Sequence, residues 1–339
     1  LGLLGICGLS LLVVYGSFRA AQSHGLRVAI GSYDSRAVLT ETLSFTRDLP
    51  ERLVIDSAGG DIQIEAGAGG GVEIEISKEA WERDPARAEA AASALEVVVE
   101  RQGDRLMLSW QRADTVDLGS HRIEQDSVHF VLRMPAAIAV ELSTRHGEVD
   151  LAGIESSAVV RTQFGSARAK DMSGPLEMHS HSGDIEAKNV DAGQDDVLLS
   201  TDHGELSAQS LRGRHITLKT ASGEIEAGEI EASGALEVQS DFGGLALEGL
   251  RAETLAVLTR NGAVSIAGGR VSEGVEIEND FGESQISALV AEGFTIKSRN
   301  GAVRLEDARG RVDVRAEFGD ITIRAIEPVI LSAESTNGG

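Results

Sequence analysis

Four stretches carry one frame: VLTRNGAVSIAGG (residues 257–269), EIENDFGESQISA (276–288), IKSRNGAVRLEDA (296–308) and VRAEFGDITIRA (314–325). Their centres alternate between Arg-Asn-Gly and an acidic residue followed by Phe-Gly. Two places before each glycine stand Asp241, Arg260, Asp280, Arg299 and Glu317, so the sign of charge changes from copy to copy. The next column alternates in step: Phe242, Asn261, Phe281, Asn300, Phe318, Asn337. Like charges opposed on neighbouring strands repel, and opposite charges attract weakly. Sign alternation at a separation near 19 residues therefore implies that each copy lies on the one before it.

The same frame reaches back through much of the chain. Taking Gly147, Gly165, Gly183, Gly204, Gly223, Gly243, Gly262, Gly282, Gly301, Gly319 and Gly338 as markers, successive spacings run from 18 to 21 residues. Five and seven places before each marker the residue is apolar, as at Leu142 and Val140 or Ile277 and Val275. Two and four places after it the residue is usually apolar too, as at Val149 and Leu151. Polar residues fill the intervening positions, which is the period of a strand. A third apolar position, seven places after the glycine (Ile154, Met172, Val190, Ile230, Leu250, Leu289), implies a third, shorter side. Three places before the glycine the residue is mostly Ser or Thr, suited to bonding the corner backbone.

Units this short cannot bury a face alone and must stack. The L-x-x-L-x-L spacing of leucine-rich repeats is absent. The expected fold is all-β: a β-solenoid, a single-stranded parallel β-helix of about 18–21 residues per coil. About a dozen coils at one strand spacing each would make a rod on the order of 50 Å long. LVIDSAGGDIQIEAG, with Gly60 as its marker, is an earlier coil. Between it and residue 140 lie an Ala-rich helix from about Pro85 to Leu95, a hairpin (LEVVVERQGDRLMLSWQR) and a strand ending at Pro135. Residues 51–139 thus read as first coil and small α/β cap, because an open sheet end must be blunted. Residues 140–339 read as solenoid, expected to continue past LSAESTNGG, which fills only half a coil.

Composition agrees with thin layers. Of 339 residues, 42% are apolar but only 4% aromatic, with 39 glycines and 5 prolines, so no thick core of rings is possible. A net charge of −23 argues against nucleic acid and against docking on anionic lipid. The single cysteine, Cys7, excludes an intrachain disulfide. Residues 1–18 carry no charge and are just long enough to span a bilayer. They read as a transmembrane helix anchoring the chain, or alternatively as a secretory signal peptide; either places the rest outside the cytoplasm. Residues 19–50 read as linker.

The strand ending at Pro135, the S-T-x-x-G corner at Ser143–Gly147, the recurring S-G-D-I (182–185) and S-G-E-I (222–225), and AGGDIQIEAG followed by VEIEISKEA resemble the bacterial putative-adhesin family of β-strand-repeat proteins. The resemblance covers roughly residues 50–330. It implies a solenoid, often tethered to a membrane and facing outward, and it implies no activity and no catalytic residues.

Candidate chemistry is sparse. Some β-helices are polysaccharide lyases or hydrolases, which need carboxylates converging on a groove. Here Glu148, Asp184, Glu205, Glu224, Glu283 and Asp320, and Glu177, Glu237, Glu276 and Asp313, spread along solvent-facing columns. His181, Asp202 and His179 are the candidate metal set, with alternation expected to point His203 away from His181; surface histidines are the preferred reading. No catalytic, cofactor or metal residues are assigned. The expected function is a non-enzymatic, membrane-tethered binding or structural module for a protein or glycan of the cell envelope. The alternative is a self-associating filament built through the open solenoid end.

Overall fold

The computed structural model describes residues 23–30, 35–82, 84–112, 126–325 and 330–337. The apolar run at residues 1–18 lies outside them. Among the described residues no helix is long and apolar enough to cross a membrane.

The N-terminal part comprises strands β1 (Ser23–Ile30), β2 (Ser35–Phe45), β3 (Arg52–Ser57), β4 (Ile62–Gly67), β5 (Val72–Glu82), β6 (Leu95–Gln102), β7 (Arg105–Arg112), β8 (Ser127–Pro135), β9 (Ala139–His146) and β10 (Val149–Ala152), with helix α1 (Pro85–Ser93). From β9 onward each coil gives one strand before its marker glycine and one after it. Strands before the glycine pair in parallel with one another, as Leu142 with Val160 and Val160 with Met178. Strands after it form a second parallel sheet, as Val149 with Ala167 and Ala167 with Ile185. The stack makes about ten turns, somewhat fewer than the spacing predicts. At about 4.8 Å per coil it is a rod just under 50 Å long.

The core is the set of inward columns. Five places before the marker, every residue from Leu142 to Val314 is at most 2% exposed. Aliphatic side chains two, four and seven places after it close the interior from the other sides, as Ile185, Ala187 and Val190 do in one coil. The third side is a kinked continuation of the second strand. Six places after the marker, Asp171, Asn189, Ser210, Glu229, Ala288 and Asp307 all have φ between 52° and 56°, and Gly153, Gly249 and Gly268 between 65° and 72°. This left-handed residue is skipped in the strand register, which passes from Lys170–Lys188 to Met172–Val190. It breaks the two-residue alternation, so positions four and seven after the glycine both turn inward. Asn, Asp and Gly tolerate that conformation best.

The cap closes one end of both sheets. The β6–β7 hairpin joins β3 in one. In the other, β8 pairs with β4 in parallel and with β5 antiparallel, and β2 and β1 extend it outward. Helix α1 is capped by the Asp84 carboxylate, which accepts from Arg87 N at 3.0 Å. Its Ala88, Ala91 and Ala92 bury against Ala37 and Ala80.

Within the stretch expected as linker, the described residues include two cap strands, β1 (Ser23–Ile30) and β2 (Ser35–Phe45). The inward positions of β2 include Ala37, Leu43 and Phe45, but also Glu41, which pairs with Lys78 on β5 where both are buried. A charged residue on the inward face hid the alternation.

Candidate binding edge

The glycine corner organises one edge of the rod. A Cβ built on Gly147, or on any later marker through Gly319, would lie 1.8–2.3 Å from the carbonyl oxygen of the previous marker. The coils approach too closely there for any side chain. At Gly262 φ is not positive, so close approach alone excludes a Cβ. From Gly147 to Gly301 each marker N–H donates to the next coil's residue before the glycine, as Gly183 to His203 O at 2.9 Å. Its carbonyl is left for a side chain. Thr201 Oγ1 donates to Gly183 O at 2.9 Å, and Ser180, Thr220 and Ser240 donate to Gly165, Gly204 and Gly223 at 3.2 Å. That is the role of the hydroxyl column. Asn279 replaces the hydroxyl in one coil, donating to Gly262 O at 3.2 Å and to Ser284 Oγ at 3.2 Å. Ser284, a polar residue in an otherwise apolar column, is thereby satisfied while fully buried.

The two residues immediately before the glycine both face solvent, because alternation fails as the chain turns. Arg260 reaches back to Asp241 at 3.7 Å and Arg299 to Asp280 at 3.2 Å, so the alternating charges bond as pairs of coils. Exposed pairs of this kind contribute about 0–1 kcal/mol each and fix register more than stability.

Beside them, the column one place before the glycine exposes Phe164 (48%), Phe242 (56%), Phe281 (48%) and Phe318 (49%). Phe242, Asn261, Phe281, Asn300 and Phe318 are successive partners across adjacent strands. At about 4.8 Å per coil, the three rings recur every ~9.6 Å along one line. In the N-terminal half the same edge continues with imidazoles. His146 stacks on Phe164 (centroids 5.1 Å, 11° between planes), Phe164 meets His181 edge-on at 6.2 Å, and His181 meets His203 at 5.7 Å. The expectation that His203 points away from His181 fails for the reason just given. Ser182 leaves a gap in the column, and His181 leans into it. The signal for this half, an aromatic or imidazole one place before Gly147, Gly165 and Gly204, stood in the sequence unread.

The metal candidates do not assemble into a cage. His181 Nδ1 lies 2.7 Å from Asp202 Oδ2, but His179 Nδ1 bonds Ser200 Oγ at 2.9 Å. Among the described residues no three His, Cys, Asp or Glu side chains converge for a metal ion.

Several of the carboxylates pair with cations of neighbouring coils. Glu177 pairs with Arg161 at 2.6 Å, Glu237 with Lys219 at 2.8 Å, Glu276 with Lys297 at 3.0 Å and Glu148 with Arg168 at 2.7 Å. A shallow groove of about 550 Å³ along the left-handed corner contains Asp191, Arg212, Glu231 and Arg251. There Arg212 holds Glu231 at 2.7 Å and Asp191 at 3.7 Å, and Arg251 also reaches Glu231 at 2.8 Å. The hydrogen bond from Arg212 keeps the Glu231 carboxyl below the ordinary carboxylate range. Arg214, helped by His215, does the same to Asp196. Depressed carboxyls of this kind are ion-pair partners, whereas a general acid needs its pKa raised.

No curated protein matches the sequence. Among solved structures, a "putative adhesin" from Bacteroides fragilis is 12% identical, aligned over 85% of this chain and 97% of its own, with a TM-score of 0.34. A "putative adhesin" from Parabacteroides merdae is 12% identical over 85% and 96%, with a TM-score of 0.32. A "putative cell adhesion protein" from Clostridium sporogenes is 10% identical over 83% and 100%, with a TM-score of 0.25. The Toastrack DUF4097 family model matches residues 50–248 and 214–339, and with its glycine-cornered solenoid behind a small cap the chain belongs to that family.

Proposed function

We propose that the chain is a non-enzymatic binding module that holds its partner along the aromatic edge, outside the cytoplasm and tethered through residues 1–18. The observation that carries this reading is the row of half-exposed phenylalanines. Asn261, Asn300, Ser182 and Ser222 occupy the same place in other coils, so the corner does not need a ring to form. Three rings at half exposure leave on the order of 300 Å² of apolar surface along one line, rimmed by charge, which is the character of an interaction site. The names of the structural neighbours agree with a binding role.

The test uses beads coated with the chain or with its Phe242→Ala/Phe281→Ala/Phe318→Ala variant, washed over immobilised gelatin, mucin and a β-1,4-glucan. Retention of the wild type on at least one surface, lost in the variant, is the expected result. Equal retention of both, or none on any surface, removes the edge as the binding site. For the tether, alkaline phosphatase fused after residue 50 is expected to be active in intact bacteria; an inactive fusion places this segment in the cytoplasm.

A further inference from the structure

The periodicity of the edge identifies the shape of what fits it, given that the edge is a binding surface. We infer that Phe242, Phe281 and Phe318 receive a proline-rich, cation-bearing peptide in the polyproline II conformation, one turn of peptide per ring. The rings repeat every ~9.6 Å, two strand spacings. A polyproline II helix has three residues per turn at about 3.1 Å each, so the same face returns every ~9.3 Å. Over the three rings the two rulers differ by less than about 1 Å. An extended β-peptide returns its face every ~6.6 Å and falls out of step by the second ring. An α-helix presents an apolar side chain every ~5.4 Å, which would seat one against Asn261 and the next beyond it.

The residues between the rings suit the same ligand. Polyproline II has no internal hydrogen bonds, so its carbonyls need external donors. Asn261 and Asn300 stand between the rings, each carrying an amide donor. Flat apolar rings matched to prolines with polar donors between them are the ingredients by which aromatic-lined grooves take proline-rich segments. Charge selects further. The columns flanking this half of the edge hold Asp241, Asp280, Glu283, Glu317 and Asp320; Arg260, Arg299 and Arg304 pair with the first three, which still leaves the acids in excess on a chain of net charge −23. A ligand with Lys or Arg at every third residue complements that excess.

The probe is a fluorescein-labelled (Pro-Pro-Lys)₄ peptide, followed by anisotropy against the full chain, with (Ser-Gly-Lys)₄ of equal charge and (Pro-Pro-Glu)₄ as comparisons. Saturable binding of the first, at least about tenfold tighter than either other peptide, is expected, weakening with added salt. Phe281→Ala, with an unchanged thermal melt, is expected to weaken it about tenfold or more, because the middle ring is lost. Leu198→Ala, an exposed apolar side chain outside the edge, is expected to leave it unchanged. Equal binding of (Ser-Gly-Lys)₄ would reduce the effect to charge and overturn the inference. So would unaltered binding by Phe281→Ala, or no binding of (Pro-Pro-Lys)₄. Binding of cellohexaose that depends on Phe281, with no peptide binding, overturns the peptide inference while the edge stands as a binding site. Failure of both ligands together with equal bead retention removes the edge as well.

Discussion

Replacing Gly262 by Ala isolates what the glycine column does. The φ of Gly262 is not positive, so alanine suits the local backbone. Judged on conformation alone the substitution would stabilise by about 0.4–1 kcal/mol, through a less disordered unfolded chain. The stack says otherwise. The new Cβ would sit 1.9 Å from Gly243 O, 2.5 Å from its carbonyl carbon and 3.1 Å from Gly244 N, all backbone atoms. Relieving that contact requires the coils to part by more than about 1 Å, which takes backbone hydrogen bonds beyond their working range. The bonds across that interface nearest the corner are Gly243 N to Asn261 O at 2.9 Å and Leu245 N to Ala263 O at 2.8 Å. Losing both at about 1 kcal/mol each outweighs the entropic gain and leaves a net cost of roughly 1–2 kcal/mol. The control is Gly274→Ala. Its φ is also not positive, and a Cβ there meets nothing within 4 Å. It is expected to be neutral or slightly stabilising. Equilibrium urea denaturation followed by far-ultraviolet circular dichroism separates the two: the midpoint falls for Gly262→Ala and holds or rises for Gly274→Ala. If both variants shift together, the column serves backbone conformation and the steric argument is wrong.

Three further outcomes follow from the columns. Ala288 is held at φ 52°, and glycine there is expected to raise the urea midpoint by up to about 1 kcal/mol of stability, relief of strain exceeding the entropic cost; a fall would show that the kink carries no strain. Thr201→Val removes the bond to the part-buried Gly183 carbonyl and is expected to cost about 1 kcal/mol, while Thr259→Val, whose Oγ1 is buried without a hydrogen-bond partner, is expected to be neutral or stabilising; equal effects by thermal melting would remove the hydroxyl column's role. The pairing that holds the Glu231 carboxyl low contributes stability above the ordinary carboxylate range and loses it as pH falls through the depressed value. The Tm difference between wild type and Glu231→Gln is therefore expected to be largest at neutral pH and to close below about pH 4, and a gap independent of pH refutes the pairing.

How much of this was legible from residues alone depended on whether a position obeys the two-residue alternation. Leu142, Val160 and Met178 do, so their stacking followed from spacing before any coordinates, and with it the parallel register of both sheets. The alternating signs of Asp241, Arg260, Asp280 and Arg299 located the vertical contacts for the same reason. Sequence reading failed wherever a local exchange broke the rule. In β2 the inward Glu41, buried against Lys78 of β5, took the place of an apolar residue, and the strand read as linker. In one coil Asn279 and Ser284 replaced the usual hydroxyl and aliphatic together, a substitution intelligible only once the two are seen to bond at 3.2 Å. At the corner the chain turns through two exposed positions, so alternation sent His203 to the wrong face and hid that His146, Phe164, His181 and His203 line one edge. The inward columns repeat because every coil must fill the same interior, which is why they betray the fold. The corner column is free of that demand, since Asn and Ser stand there as well as Phe. A residue that folding leaves optional, recurring every second layer as a half-exposed ring, is where selection for a partner has room to act.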